Sequence, residues 1–327
     1  MLLCSSGAFA LVSEPPVVKP RVIATSPHDA SAFTQGLLLS GGSFFESTGL
    51  NGRSSLREVT PRTGAVVRRV DLGKEYFAEG LALVGDTLFQ LTWQSGVAFS
   101  YDLKTFKSQG SFRYDGEGWG LCYDGARLVM SDGSGTLFFR DPKTFALTGQ
   151  VAVKLAGRDV TRLNELECVG ELVYANVWQT HTILRIDPKS GEVLTQVDAS
   201  ELAREQPGAD VLNGIAYDPA TQHFFLTGKL WSKVYETAFT FAPGQLGPTD
   251  AGLSPRDASA PGAAPSVGSG GAKSSADGSS QGQAAQGGLT APDGATDAPS
   301  TSKPSTSKPS TSKPSTSKPS RPTPSPS

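Results

Sequence analysis

Five short stretches of this 327-residue chain are variants of one pattern: Phe33-Thr34-Gln35-Gly36-Leu37, Phe77-Ala78-Glu79-Gly80-Leu81, Gly118-Trp119-Gly120-Leu121, Asn164-Glu165-Leu166 and Asn213-Gly214-Ile215. Their apolar anchors, Leu37, Leu81, Leu121, Leu166 and Ile215, recur every 40 to 49 residues. A chain built from copies of one unit must set the units against each other, because no single copy can bury its own apolar face.

Each unit reads as short strands rich in Val, Phe, Leu and Tyr, separated by Gly or Asp-Pro turns such as Gly85-Asp86, Asp141-Pro142 and Asp187-Pro188. That is an all-β signature. Only 200–205 has the pattern of a short helical turn, so there is nothing to supply helical crossovers. Four strands in a unit of this length is the pattern of a propeller blade. The fifth unit stops one strand short, while the extended segment 18–26 belongs to no unit. Pairing the two closes a ring and removes an exposed edge. The expectation is a five-bladed β-propeller whose N-terminal strand completes the last blade. A sandwich, the rival fold, explains neither the missing strand nor the spare one.

Composition sets the limits of the folded part. Every aromatic residue lies at or before Phe241, and the remainder of the chain is dominated by Gly, Ala, Ser, Pro and Thr, including four copies of Thr-Ser-Lys-Pro-Ser over 301–320. Such a segment buries too little apolar surface to offset the entropy of ordering. The reading is a propeller domain over 18–241, a disordered tail over 242–327, and a signal-like or frayed start over 1–17. The apolar Met1–Leu11 stretch with Ala8-Phe9-Ala10 resembles the end of a secretory signal, which favours a secreted, periplasmic or envelope location. No apolar run is long enough to cross a membrane.

The formal net charge of -2 argues against nucleic acid as a partner. Three cysteines and three histidines, scattered, make no metal-ligand pattern. Cys122 and Cys168 fall near equivalent points of neighbouring units. We read them as two buried free thiols, with a disulfide as the alternative. A closed ring leaves no edge to share, so a monomer is expected.

In a propeller the first strand of each blade lines the central channel. The repeat therefore gathers Gln35, Glu79, Trp119, Asn164 with Glu165, and Asn213 about one axis. The ends of the second strands add Glu46, Trp93, Asp132, Trp178 with Gln179, and Lys229 with Trp231. Gly36, Gly80 and Gly120 allow close backbone approach there. Glu79, beside Phe77, is the candidate general acid and base, its pKa raised by desolvation; the bland alternative is a carboxylate bonded to channel N–H groups. Trp93, Trp119 and Trp178 would wall a pocket. Lys229 would hold developing negative charge, pair with a channel carboxylate, or be a solvated lysine. Asn164, Gln35 and Gln179 would orient a carboxamide or ammonium, or simply close the channel. Glu165 and Glu167 share a strand face and read as supports. No dinucleotide fingerprint, phosphate loop or serine elbow is present.

Taken together, the motifs Tyr76-Phe77-Ala78-Glu79-Gly80-Leu81, Leu91-Thr92-Trp93-Gln94, Gly116-Glu117-Gly118-Trp119-Gly120-Leu121, Leu163-Asn164-Glu165-Leu166-Glu167, Ala175-Asn176-Val177-Trp178-Gln179 and Thr227-Gly228-Lys229-Leu230-Trp231 resemble the plant and bacterial type of glutaminyl-peptide cyclotransferase, the papaya-latex-like family. The resemblance runs in unbroken order from about His28 to Phe239. It implies an enzyme that turns the N-terminal glutamine of a peptide or protein into pyroglutamate with loss of ammonia, needing no cofactor and no metal. It also implies that Glu79 is the acidic catalytic residue. Phe33, Gln35, Phe77, Trp93, Trp119, Asn164, Trp178 and Lys229 would surround it. Two other functions fit a propeller with these residues: a non-enzymatic peptide- or glycan-binding module, and a calcium-dependent lactonase or esterase using Glu79, Glu165, Asn164 and Asn213.

Overall fold

The computed structural model describes residues 13–241; most of the segment read as signal-like and the whole Gly/Ala/Ser/Pro/Thr-rich tail lie outside the described residues. Within them the chain forms five larger sheets, each with four antiparallel strands, and a two-stranded ribbon, Lys154–Leu155 with Arg158–Asp159. The innermost strands are Thr34–Ser40, Ala78–Val84, Leu121–Tyr123, Leu163–Val169 and Leu212–Asp218. Each lies against the next, and Leu212–Asp218 returns to Thr34–Ser40, so the ring is closed. This is a five-bladed propeller.

The blades differ from inside to outside as burial requires. Inner strands are buried along most of their length, whereas the outer strands Val66–Asp71 and Leu147–Ala152 alternate with period two, one face toward solvent. The core lies between successive blades. Leu56 of blade one packs with Leu88 of blade two, and Val129 and Leu137 of blade three pack with Val173 and Leu184 of blade four. Fully burying each such side chain contributes about 1.5–3 kcal/mol, so the interblade seams carry much of the stability.

Inner-strand glycines are what let the blades approach. A Cβ on Gly80 would come 2.5 Å from the Leu121 nitrogen, and one on Gly120 would come 2.0 Å from the Asn164 carbonyl oxygen. Only glycine fits where one inner strand meets the next. Aspartate turns fasten the outer edges: Asp102 Oδ1 accepts from the Thr105 amide at 2.8 Å and Asp141 Oδ1 from the Thr144 amide at 2.7 Å.

The segment Pro20–Pro27 pairs antiparallel with Lys233–Phe239 and supplies the fourth strand of blade five, as the incomplete last repeat requires. A further two-residue strand, Val17–Val18, runs parallel to Val193–Asp198 at the edge of blade four. The sequence reading runs Val18 into the closing strand; the structure places it in this separate strand instead. Two residues show no periodicity, and parallel addition to an edge leaves no turn signal.

Cys122 and Cys168 are joined in a disulfide, which corrects their reading as free thiols. The two lie on the inner strands of blades three and four. The bridge closes a chain segment with a sequence separation of 46. Constraining a loop of that length in the unfolded chain is worth about 4 kcal/mol in the entropic account.

Candidate active site

The side chains singled out from the repeat are aimed by a recurring irregularity. Inner-strand pairing shifts register between Thr34 and Gly36, Ala78 and Leu81, Leu163 and Leu166, and Leu212 and Ile215. Gln35, Glu79, Asn164 and Asn213 sit inside these bulges. A bulge turns its extra residue away from the ladder and re-aims the side chain, here into the mouth of the channel. A second device sets the rim. The amides of Gly49, Trp93, Trp178 and Lys229 donate to the carbonyls of Phe33, Phe77, Arg162 and Val211, at 2.8, 2.9, 2.9 and 2.9 Å. These four residues therefore hold equivalent places in blades one, two, four and five.

A cavity of about 430 Å³ occupies the mouth. It brings together Phe33, Gln35, Phe77, Glu79, Trp93, Trp119, Asn164, Trp178 and Lys229, together with Gln179. Asp210 and Val211 also line it and escaped the sequence reading. They belong to the loop entering blade five and pair through their backbones with Lys229, so no side-chain pattern marks them. Trp231, grouped with Lys229 in the sequence, is in the core instead, with its indole N–H donating to the Asp210 carbonyl at 2.9 Å.

Glu79 lies on the cavity floor, 4% exposed. Its Oε1 accepts from Gln35 Nε2 at 2.8 Å, and Gln35 is in turn held by Asn213 Nδ2, which donates to Gln35 Oε1 at 3.1 Å and to the Thr34 carbonyl at 3.0 Å. Burial pushes the Glu79 pKa well above the usual carboxylate range; Lys229 opposes this and the negative charge of Glu117 adds to it. Lys229 is also buried, its Nζ 4.9 Å from the centre of the Phe33 ring. Burial lowers its pKa against the pull of Glu79 and Asp210. Desolvation thus presses both groups toward neutrality, against their mutual attraction.

The aromatic walls interlock. Phe33 meets Phe77 edge to face at 6.0 Å, Phe77 meets Trp93 at 5.7 Å, and Trp119 meets Trp178 at 5.4 Å. Glu117 fastens two of these walls from different blades. Its Oε2 accepts from the indole N–H of Trp93 at 2.7 Å and of Trp119 at 2.9 Å, and its Oε1 from Gln94 Nε2 at 2.8 Å. Those three donors hold the Glu117 pKa down despite some desolvation. Two indole N–H groups are therefore engaged with Glu117 rather than turned to the cavity. Asn164, 1% exposed, has a side-chain oxygen that is buried without a hydrogen-bond partner among the described residues. Such an atom in a polar corner of a cavity calls for a ligand group.

The supporting acids behave differently from Glu79. Glu165 accepts from the backbone N–H groups of Leu37 at 3.3 Å and Ile215 at 2.8 Å, tying blade four to blades one and five. Glu167 accepts from the Tyr217 amide at 3.1 Å. Burial raises both pKa values. Glu46 is not at the mouth; it is buried in a pair with Arg57. Among the described residues no group of three or more His, Cys, Asp or Glu is arranged to hold a metal ion.

Fold and cavity together give a five-bladed propeller with a candidate site at one mouth of the channel. The profile of the family described as glutamine cyclotransferase matches residues 1–239. A glutaminyl-peptide cyclotransferase of Arabidopsis thaliana is 45% identical over 234 residues, covering 69% of this chain and 73% of that protein. The crystal structure of Myxococcus xanthus glutaminyl cyclase matches with a TM-score of 0.66 and 42% identity, over 70% of this chain and 100% of that one. The chain belongs to the glutamine cyclotransferase family.

Proposed function

We propose that the chain cyclises the N-terminal glutamine of peptides or proteins to pyroglutamate with release of ammonia, and that Glu79 moves the proton. The observation that carries this reading is the Glu79 carboxyl group, buried in an aromatic cavity, with one amide donor and a raised pKa.

The chemistry follows from the lining. The cavity folds the glutaminyl side chain back so that the α-amine meets its own carboxamide carbon, making the attack unimolecular. A free α-amine titrates at about 7.7–8.0, so raising the carboxyl pKa brings the two groups closer and eases proton transfer between them. The amine nitrogen bonds to the carboxamide carbon and the carbonyl becomes an oxyanion. Glu79 takes one proton from the attacking nitrogen and delivers it to the departing nitrogen. The carbon–nitrogen bond of the amide then breaks and ammonia leaves, with Glu79 restored. Lys229 faces the developing oxyanion charge. Asn164, with its unpartnered oxygen, accepts from a substrate N–H. With the indoles of Trp93 and Trp119 held by Glu117, these walls act by excluding water and favouring the uncharged amine.

Calcium-dependent hydrolysis is disfavoured by the same geometry. It needs converging carboxylates, whereas both Glu165 oxygens are used by backbone donors and Glu79 stands apart. We also assign the chain to an oxidising compartment outside the cytoplasm, which the Cys122–Cys168 bridge supports. The test of function is ammonia release from a glutamine-initiated dipeptide with pyroglutamyl product identified by mass. Absence of both with well-folded protein overturns the reading.

A further inference from the structure

A second cavity, of about 210 Å³, lies beside the first and shares Phe33 with it. Gly49, which lines the second, packs directly against Phe77 and Gln35 of the first. Gly49 occupies the place that carries Trp93, Trp178 and Lys229 in the other blades. A Cβ there would come 2.4 Å from the Phe77 ring and 3.1 Å from the Gln35 side chain, both of the catalytic cavity. Blade one therefore presents no side chain at the point where the other blades raise a wall.

The two cavities differ in character. The first is lined by aromatic rings, whereas Arg53, Arg57 and Arg69 line the second together with Asp71. Arg57 is buried and held by two carboxylates, its Nε alone lacking a partner among the described residues. Its Nη1 donates to Asp29 Oδ2 at 2.7 Å and its Nη2 pairs with Glu46, which also accepts from Thr34 Oγ1 at 2.7 Å. This fixed network makes a rigid floor. Arg69 uses Nε on Asp71 at 2.5 Å, leaving its two terminal nitrogens without a carboxylate among the described residues. Arg53 has one long contact, Nη2 to the Ser31 carbonyl at 3.4 Å, and forms no ion pair among the described residues. Positive charge thus exceeds negative at the open side.

We propose that this second cavity is a carboxylate subsite for the substrate chain, in which Arg53 and Arg69 hold an acidic side chain or the terminal carboxylate among the few residues that come after the reacting glutamine. The proposal rests on the reading of the first cavity as the glutaminyl site. A peptide whose first residue fills that cavity must leave it over the rim, and an extended chain advances about 3.3–3.6 Å per residue. The rim at Phe33, which both cavities share, leads to guanidinium groups, which bind carboxylates in bidentate fashion.

The experiment compares ammonia release from amidated peptides of the form Gln-Ala-Ala-Ala with versions carrying Asp at the second, third or fourth position, and with the free-acid form of the neutral peptide. Wild-type protein and the R53Q/R69Q double variant are assayed at low and high salt. At least one acidic peptide is expected to exceed the neutral amide about tenfold in kcat/KM, mainly through KM, as one charge-assisted contact gives. High salt weakens that preference, and the double variant loses it while turning over the neutral amide at the wild-type rate. The Asp series and the free acid tell which source of carboxylate is bound. Equal rates for all peptides in the wild type, or an undiminished preference in the double variant, overturn the proposal. Pyroglutamyl forms of the same peptides, titrated by tryptophan fluorescence, report binding without turnover. Should no peptide release ammonia, tighter binding of acidic products to wild type than to the double variant upholds the subsite while the cyclisation reading fails.

Discussion

Gln35 and Glu79 occupy matching bulges of the first two inner strands, and Gln35 Nε2 donates to Glu79 Oε1 at 2.8 Å. Because Asn213 of blade five holds the other end of the Gln35 amide, the orientation of the proposed acid depends on three blades. Replacing Gln35 with Ala frees the carboxyl without adding charge. We expect kcat to fall by about ten- to a hundredfold, the worth of a hydrogen bond to an ionisable group, with a smaller change in KM. Steady-state kinetics check this; a loss confined to KM would assign Gln35 to substrate binding alone.

Glu117 touches both Trp93 and Trp119 and raises the Glu79 pKa by its negative charge. Substituting Gln keeps an acceptor for the indoles but removes the charge, so the Glu79 carboxylate is favoured at lower pH. The acidic limb of the kcat profile should shift toward lower pH in Glu117→Gln, whereas Glu117→Ala should also raise KM by loosening both walls. A pH–rate profile identical to wild type in Glu117→Gln would remove the electrostatic part of this role.

Glu165 acts through stability. Burial raises its folded pKa above the unfolded value despite two backbone donors. Its contribution is complete below the unfolded pKa and is lost as pH rises through the folded one. Glu165→Gln removes that loss. The melting temperature of the variant relative to wild type should therefore improve as pH is raised from about 5 to about 8, the range above the unfolded carboxylate pKa of about 4.3. Parallel melting curves across that range would mean that Glu165 does not titrate there.

The Cys122–Cys168 bridge should matter for folding rather than turnover, since it is not among the residues lining the catalytic cavity. Removing about 4 kcal/mol from a domain of this size should lower the melting temperature by about 10 °C, measured with and without reductant, while the rate at 25 °C holds. More than one titratable thiol in unreduced, denatured protein, where the bridge leaves only Cys4, would contradict it.

Much of this architecture is written in the chain because the propeller repeats a constraint. Gly36, Gly80 and Gly120 recur where inner strands touch, and the polar residues before Gly36 and Gly80 lie in bulges. Reading the repeat thus assembled Gln35, Glu79, Trp119 and Asn164 before any coordinates. What stayed hidden depends on meetings between unrelated segments. Glu117 stands in the motif Gly116–Leu121 with no role legible there, because its partners Trp93 and Gln94 belong to another blade. Asp210 and Val211 act through backbone position, which leaves no residue signature. Cys122 and Cys168 stand at equivalent points of two units, a placement that free thiols satisfy equally well. Val17–Val18 is too short to carry a period.

The central claim is that Glu79 moves the proton in glutamine cyclisation, and Glu79→Gln tests it most directly. Ammonia release from a glutamine-initiated dipeptide is measured for both proteins alongside their thermal melts. The account predicts a fall in kcat of about 10²- to 10⁴-fold, the usual worth of general acid–base catalysis, with an undiminished melting temperature because the variant removes a buried ionisable group. A variant that melts like the wild type and still releases ammonia at close to the wild-type rate would contradict it.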